Sequence, residues 1–530
     1  MYRDYLALGV SALALATLGS PAFADEAEDA RIEALEARIV QLEETNRRLL
    51  EFLETQGATA TAPAMPHGAG HGADHGSGHG SGHGTGHGAG HAPAGHADMP
   101  VQVPHAEHHA AYQQSMGQGF VGLSQDYSFA VLDHAEGINR RQLIQLQAMQ
   151  NGELENRVTL SGGVTVLANY QRSNSDTKFG WLMRHPTSNN QIGEEVSEMV
   201  VHSAQFALTA RMSDTITGYV EMLYNPEQSF GSGTITDLNR NQVQVRKAWV
   251  MIGDLDQSPW YAAIGKMDTP FGMNDTVSPF TNSTTWHSFA GLAYGGLVGY
   301  YNNGLHIRAM GIQGGAQFRA ANAPVQGTAV PSRVNNFAVD ANYTLPMGED
   351  GSVMVGASYE HASPYCQPYP VFHFTACAEN NPAYAVYGRI ETGAFEFIGE
   401  FQQTTDVWPG SAVPDPTNPL SVFAAQETSS WALGGRYAMD IGQDSPLDVS
   451  FEFSRFRAGD DGAPWERQDQ YVAGLGYFIA PGVNMFGEFI HVNGWAPLNF
   501  VSGGNLPGGA SWSERDATTD VITFGVQAAF

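Results

Sequence analysis

Sixteen segments of this chain have the length and patterning of strands, and the gaps between them alternate between short and long. The segments lie near 157–171, 199–212, 215–225, 242–252, 259–267, 287–301, 304–313, 334–345, 352–361, 383–391, 394–403, 429–440, 446–457, 468–479, 482–492 and 519–530. Short gaps fall at 213–214, 253–258, 302–303, 346–351, 392–393, 441–445 and 480–481. Long ones surround 172–198, 226–241, 268–286, 314–333, 362–382, 404–428, 458–467 and 493–518. A soluble β-sandwich has no reason to keep that parity. A barrel in the outer membrane does, because its periplasmic turns are short and its outer loops long. An even strand count returns both ends of the barrel to the short-turn side. The expected fold is an all-β transmembrane barrel of about 16 antiparallel strands over residues 157–530, with an N-terminal periplasmic coiled-coil helix ahead of it.

Alternation within the segments assigns faces. In the last one, Ile522, Phe524, Val526, Ala528 and Phe530 are apolar, and Thr523, Gly525 and Gln527 are small or polar. Phe337, Val339, Ala341, Tyr343 and Leu345 should face lipid, with Ala338, Asp340, Asn342 and Thr344 in the lumen. Phe395, Phe397, Gly399 and Phe401 should face out and Glu396, Glu400 and Gln402 in. Likewise Trp431, Leu433, Gly435, Tyr437 and Met439 should face out and Arg436 in. The segment at 242–252 is ambiguous, since Arg246 and Lys247 occupy opposite faces.

The first 24 residues read as a signal peptide: Arg3, an apolar stretch from Leu6 to Leu18 too short to span, and an Ala22-Phe23-Ala24 cleavage site. No later segment offers the roughly 18 continuous apolar residues of a spanning helix. Localisation in the outer membrane of a Gram-negative cell follows, with the N-terminal region in the periplasm. Lys+Arg is 25 against Asp+Glu 54, a net charge of −29, and only Lys178, Lys247 and Lys266 are lysines. Nucleic acid is excluded as a partner, because phosphate contacts need clustered cations. Outer-membrane lipid, lipopolysaccharide and small hydrophilic solutes are the partners this chain suits.

Residues 25–57 read as a coiled coil. Ile32, Leu35, Ile39, Leu42, Asn46, Leu49 and Leu53 step by three and four, with Asn46 as the polar seam residue that fixes register. Residues 58–111 form a His/Gly-rich disordered linker. His67, His71, His75, His79, His83, His87 and His91 recur every four residues, and alternating glycine forbids a stable helix there. Neutral imidazole suits Zn, Cu and Ni, so these seven histidines are the candidate metal ligands. No cofactor is otherwise required. Residues 112–156 are a connector in which Asn139 to Met149 form a short helix ended by Gly152. That helix either docks on the barrel mouth or enters it.

No enzyme motif is present: there is no G-x-S-x-G elbow, Walker loop or C-x-x-C. A sixteen-stranded barrel is wide enough for an aqueous channel. Its expected lumen carries both signs: acids at Glu221, Asp340, Glu360, Glu391, Glu396, Glu400, Glu452 and Glu488, bases at Arg211, Arg246, Arg308, Arg389 and Arg436. Opposed charged rows set ion preference. Cys366 and Cys377, in one segment of an exported chain, read as a disulfide.

The stretch Ala262 to Gly272, A-A-I-G-K-M-D-T-P-F-G, continues to Trp286 as the third outer loop. Its G-K-x-x-x-P-F-G block, the layout of signal peptide, coiled coil, linker and barrel, and the run N-G-E-L-E-N-R-V-T-L-S-G-G resemble the LbtU-type siderophore porins, and more distantly the phosphate- and pyrophosphate-selective porins. The resemblance implies a third loop that folds inward and a trimer; the R-I-E-A-L-E and R-I-V-Q-L-E repeats, similar to short trimeric coiled coils, agree. Lys266, Asp268 and Asp275 around this loop, with Glu400 and Arg436 of the lumen, are the candidate constriction and lumen residues. The function so read is passive diffusion of small hydrophilic solutes, metal ions or metal–siderophore complexes among them. The alternative is a non-conducting anchor whose histidine tether buffers periplasmic metal.

Replacing Leu35 and Leu42 with Asp places charges in the apolar seam, at a cost of several kcal/mol. The isolated 25–57 peptide should then lose both its helical circular dichroism and its oligomer. A wild-type peptide that sediments as a monomer at high micromolar concentration contradicts the coiled coil.

Overall fold

The computed structural model describes residues 120–133, 137–174, 179–184, 193–224, 243–314, 317–318, 323–324, 333–348, 351–366, 380–408, 425–442, 445–461, 466–496 and 514–530. The signal peptide, the coiled coil, all seven candidate histidine ligands and Cys377 lie outside them.

Sixteen strands form the wall: β1 (Val158–Ser173), β2 (Glu195–Arg211), β3 (Ile216–Tyr224), β4 (Val243–Ile252), β5 (Trp260–Asp268), β6 (Leu292–Asn302), β7 (Leu305–Gln313) and β8 (Val334–Pro346). The series continues with β9 (Gly351–Glu360), β10 (Ala383–Thr392), β11 (Phe395–Val407), β12 (Glu427–Met439), β13 (Leu447–Arg457), β14 (Gln468–Ala480), β15 (Val483–Ala496) and β16 (Glu514–Ala529). Each pairs antiparallel with the next, and β16 returns to β1 with Val521 opposite Gln171 and Gln527 opposite Thr165. Closure satisfies every ladder and leaves no sheet edge in lipid. A three-residue strand, Val121–Leu123, runs parallel to the start of β1. Among the described residues no helix is long and apolar enough to cross a membrane.

The faces follow the alternation. Phe337, Val339 and Tyr343 are exposed on the outer wall, whereas Ala338, Asp340 and Asn342 are buried in the lumen. Phe524 is 65% exposed while Thr523 beside it is fully buried. The turn after β6 shows how local chemistry sets register. Asn303 (φ 47°) and Gly304 (φ 78°) form a two-residue hairpin turn, the left-handed pair that Asn-Gly adopts at least cost.

Two expectations need correction. The segment 287–301 is not strand throughout, because Thr284–Phe289 form a helix, capped by Ser283, whose hydroxyl accepts from Trp286 N. Aromatic and β-branched residues there resemble a strand, but the N-cap decides locally. In β4 the parity conflict is resolved by a bulge. Glu221 pairs with Lys247 and Met222 with Val245, so Arg246 is the extra residue. Arg246 and Lys247 are therefore both fully buried. Cys366 is disulfide-bonded.

Candidate functional site

The lumen is not left open as the strand count alone implies. Two elements occupy it. The first is the third outer loop, L3, residues 269–291 between β5 and β6, which is buried almost throughout. Asp268 anchors its base through an ion pair of 2.7 Å with Lys247 Nζ.

A loop inside a barrel has backbone amides that no ladder serves. Three wall glutamates on alternate strands serve them. Glu400 on β11 accepts from Met273 N at 2.7 Å and from Asn274 N at 2.9 Å. Glu452 on β13 accepts from Thr276 Oγ1 at 2.8 Å and Val277 N at 3.2 Å. Glu488 on β15 accepts from Phe280 N, Thr281 N and Thr281 Oγ1 at 2.8, 3.0 and 2.6 Å. A buried amide left without an acceptor carries a desolvation penalty, so these hydrogen bonds fix L3 against the wall. The intervening strands make room. A Cβ at Gly434 of β12 would meet Val277 Cγ2 at 2.5 Å, and one at Gly474 of β14 would meet Pro279 Cδ at 2.5 Å.

The second element is a helical hairpin from the chain before β1. Helix α1 (Gln125–Ala130), capped by the Ser124 side chain, crosses the short-turn mouth. Its Tyr127 hydroxyl bonds Thr209 Oγ1 of β2 at 3.0 Å, and its Phe129 ring packs edge-on to Phe478 of β14, centroids 5.0 Å apart. The chain then rises to a one-turn 3-10 helix at Ile138–Arg140 and descends as α2 (Arg141–Gln150). Met149 O accepts from Gly152 N as α2 ends, and Gly152 adopts φ 79°. Polar side chains hold α2 to the wall. Arg141 NH1 pairs with Glu221 at 3.0 Å, Gln145 Nε2 donates to Thr217 Oγ1 at 2.8 Å, and Trp249 Nε1 donates to Gln145 Oε1 at 3.1 Å. Asp133, between the helices, pairs with Arg246 of the bulge at 3.3 Å. The connector helix thus enters the barrel.

Loop and hairpin meet at Asp275. Its carboxylate accepts from Gly137 N at 2.8 Å and pairs with Arg389 of β10 at 2.7 Å and with Arg140 at 3.5 Å. Asn139 Nδ2 donates to Phe271 O at 2.9 Å. Burial pushes the Arg140 guanidinium below its ordinary range; Asp275 opposes that shift, and Arg389 and Arg308 add to it. Arg389 also pairs with Glu396 at 3.2 Å, and Glu396 with Arg436 of β12. A chain of alternating charge therefore runs from Arg436 through Glu396, Arg389 and Asp275 to Arg140.

Of the five candidate lumen residues, Asp275, Glu400 and Arg436 belong to this assembly, and Asp268 to its base. Lys266 is itself buried on β5. It shares the parity of the exposed Ile264, and its ammonium lies 5.4 Å from the ring of Tyr294, its cross-strand partner, which is itself exposed. Lys247, hidden from the sequence by the bulge, is the lysine paired with Asp268. Sequence reasoning also passed over Arg140, Asn139 and the clasp of Glu452 and Glu488. The glycines at 434 and 474, each between strands that carry an inward glutamate, were its available signal.

Beside L3, toward the short-turn end, lies a cleft of about 60 Å³. Phe129 and Leu132 of the hairpin, Thr276 to Pro279 of L3, and Arg436, Asp448 and Asn484 of the wall contribute to its lining. Among the described residues no cluster of His, Cys, Asp and Glu suits a metal ion.

A family model described as Gram-negative porin matches residues 128–494. The chain is 26% identical over 208 residues to a "UPF0422 protein" of Coxiella burnetii, a match covering 37% of this chain and 40% of that protein. It thus spans about two-fifths of the length of the curated relative. The outer membrane channel DcaP of Acinetobacter baumannii is 13% identical, with 70% of this chain and 97% of that one covered and a TM-score of 0.43. The anion-selective porin from Comamonas acidovorans is 12% identical, with 70% and 99% covered and a TM-score of 0.43.

Replacing both Glu452 and Glu488 with Ala strands several buried L3 amides, each worth about 1–3 kcal/mol. The barrel should still form, seen as heat-modifiable migration on gels, while L3 becomes protease-sensitive and single-channel current noisier. Wild-type protease resistance and a quiet current in the double variant would mean that the glutamates do not hold the loop.

Proposed function

From the premise that the chain belongs to the Gram-negative porin family, and so forms an outer-membrane channel for small solutes rather than an enzyme, we propose that it is a narrow passive channel whose bore is set by L3 and by the hairpin of residues 120–156. The observation that carries this reading is the shared clasp at Asp275. A loop from the long-loop end and a hairpin from the short-turn end are fastened to each other and to the wall by buried charge. The solutes in this reading are compact and hydrophilic. In this reading the short-turn end and the N-terminal region, with its coiled coil over residues 25–57, face the periplasm, and three copies assemble as a trimer with lipid and lipopolysaccharide around them. The histidine tether then holds Zn²⁺, Cu²⁺ or Ni²⁺ in the periplasm.

The non-conducting anchor is the second reading, and the filling of the lumen by two elements favours it. Planar-bilayer recording separates the two. A porin gives steady single-channel steps, with a reversal potential under a salt gradient that reports its selectivity. Absence of steps from folded, heat-modifiable protein would leave the anchor.

Metal binding by the tether should follow imidazole protonation. An unperturbed histidine titrates near pH 6.5 and metal competes for the same nitrogen, so binding is present above that value and lost as pH falls through it. Calorimetry with Zn²⁺ should show strong binding to residues 58–111 at about pH 7.5 and little at about pH 5.5. Equal weak binding at both would reduce the tether to a spacer.

A further inference from the structure

The segment ahead of the hairpin adds a piece to the wall. β1 begins at Val158, but its pairing with β16 begins only at Gly162. There Gly162 N donates to Phe530 O at 3.1 Å and Phe530 N donates to Gly162 O at 3.0 Å. Before that point β2 already occupies one side of β1, with Val158 opposite Ala210. Val121–Leu123 takes the other side, in line with the end of β16. Val121 stands opposite Val158, Gly122 opposite Thr159 and Leu123 opposite Leu160, and Val158 N donates to Phe120 O at 2.9 Å. Backbone groups at a membrane need such partners, because lipid offers none.

The register fixes which way these side chains point. Partners in a parallel ladder share a face, and Thr159, the partner of Gly122, is buried on the lumen side. Val121 and Leu123 therefore point outward, beside Val158 and Leu160. They are 52% and 62% exposed, and Phe120 before them is 71% exposed. The ring of Phe530 covers Gly162, where a Cβ would lie 2.4 Å from Phe530 Cζ. Val164 and Val166 are exposed on the same face of β1. The apolar outer surface thus continues from Val166 and Val164 through Phe530 to Leu123 and Val121. A contiguous exposed apolar row of this kind marks contact with a membrane or a protein. Lipid that wets the wall at Val164 and Val166 reaches Leu123 on the same face, which favours the membrane.

We propose that Phe120–Leu123 is a lipid anchor. Val121 and Leu123 rest against acyl chains at the short-turn side of the membrane. Phe120 lies at their boundary with the headgroups, a depth that suits an aromatic ring. The anchor bears on the filling of the lumen. Ser124 caps α1 directly after Leu123, so ladder and lipid together fix the point where the chain turns from the outer surface across the mouth. The hairpin returns to the wall at Val158, the residue that Val121 faces, so both of its limbs are held at one place on β1. This inference needs the barrel to sit in a membrane but does not need a conducting lumen.

The test is nitroxide accessibility in full-length protein reconstituted in phosphatidylcholine vesicles. Val121→Cys and Leu123→Cys carry the label, and Cys366, being disulfide-bonded, does not compete for it. Phe451→Cys on the exposed outer face of β13 is the lipid reference, and Asp214→Cys, whose side chain is 92% exposed in the turn after β2, is the water reference. Oxygen concentrates among acyl chains, and a nickel chelate stays in water. At both anchor positions the ratio of oxygen to nickel collisions should be several-fold above that at Asp214 and approach that at Phe451. A ratio equal to that at Asp214 would overturn the anchor. Exclusion of both reagents, as a second copy of the chain or another protein would cause, would overturn it too. If a substituted barrel lacks heat-modifiable migration, the wild type is labelled instead with a phospholipid that carries a diazirine in its acyl chain. Adducts within residues 120–123 support the anchor, and adducts on β13 with none at 120–123 contradict it.

Discussion

Backbone amides of a loop folded into a barrel must find acceptors that no strand supplies, and the interior of this protein is organised around that demand. Glu400, Glu452 and Glu488 answer it from alternate strands, and together they receive backbone N–H groups of Met273, Asn274, Val277, Phe280 and Thr281. A buried carboxylate is itself unfavourable without donors, so each group removes the other's penalty. Glutamates on neighbouring strands would crowd one another. Spacing them by two strands leaves Gly434 and Gly474 between them, and the loop lies close to the wall at those two positions.

Once L3 is fixed, the hairpin has something to close against. Asp275 presents its carboxylate to the hairpin tip at Gly137 and Arg140, while Arg389 holds it from the wall. Breaking a buried pair by removing one partner costs about 3–5 kcal/mol, because a charge is left uncompensated. Loop, hairpin and wall are in this sense one unit, and the solute path is whatever they leave beside them. The cleft beside L3 lies against β12 to β15, away from the strands that hold α2.

The wall was legible in the sequence and much of its filling was not. Gap parity and two-residue alternation place all sixteen strands, because lipid outside and water or polar groups inside impose opposite demands on successive side chains. The reading fails where the period breaks. At β4 a bulge turns Arg246 and Lys247 the same way, which a strict two-residue period cannot show. The helix at Thr284–Phe289 is short and aromatic, and only Ser283 announces it. The hairpin is the deeper case. Arg141, Gln142 and Gln145 are buried, yet on a helix such residues mark a solvated face. In a polar lumen the usual link between hydrophobicity and burial is lost, so the connector's polarity could not say whether it enters.

Amide hydrogen exchange across L3 tests the clasp most directly. If the three glutamates hold the loop, the N–H groups of Met273, Asn274, Val277, Phe280 and Thr281 should exchange as slowly as those of the adjoining strands β11, β13 and β15, and should lose that protection when Glu400, Glu452 and Glu488 are replaced by Ala. Exchange at those five positions as fast as in an exposed outer loop of the wild-type protein would contradict the account.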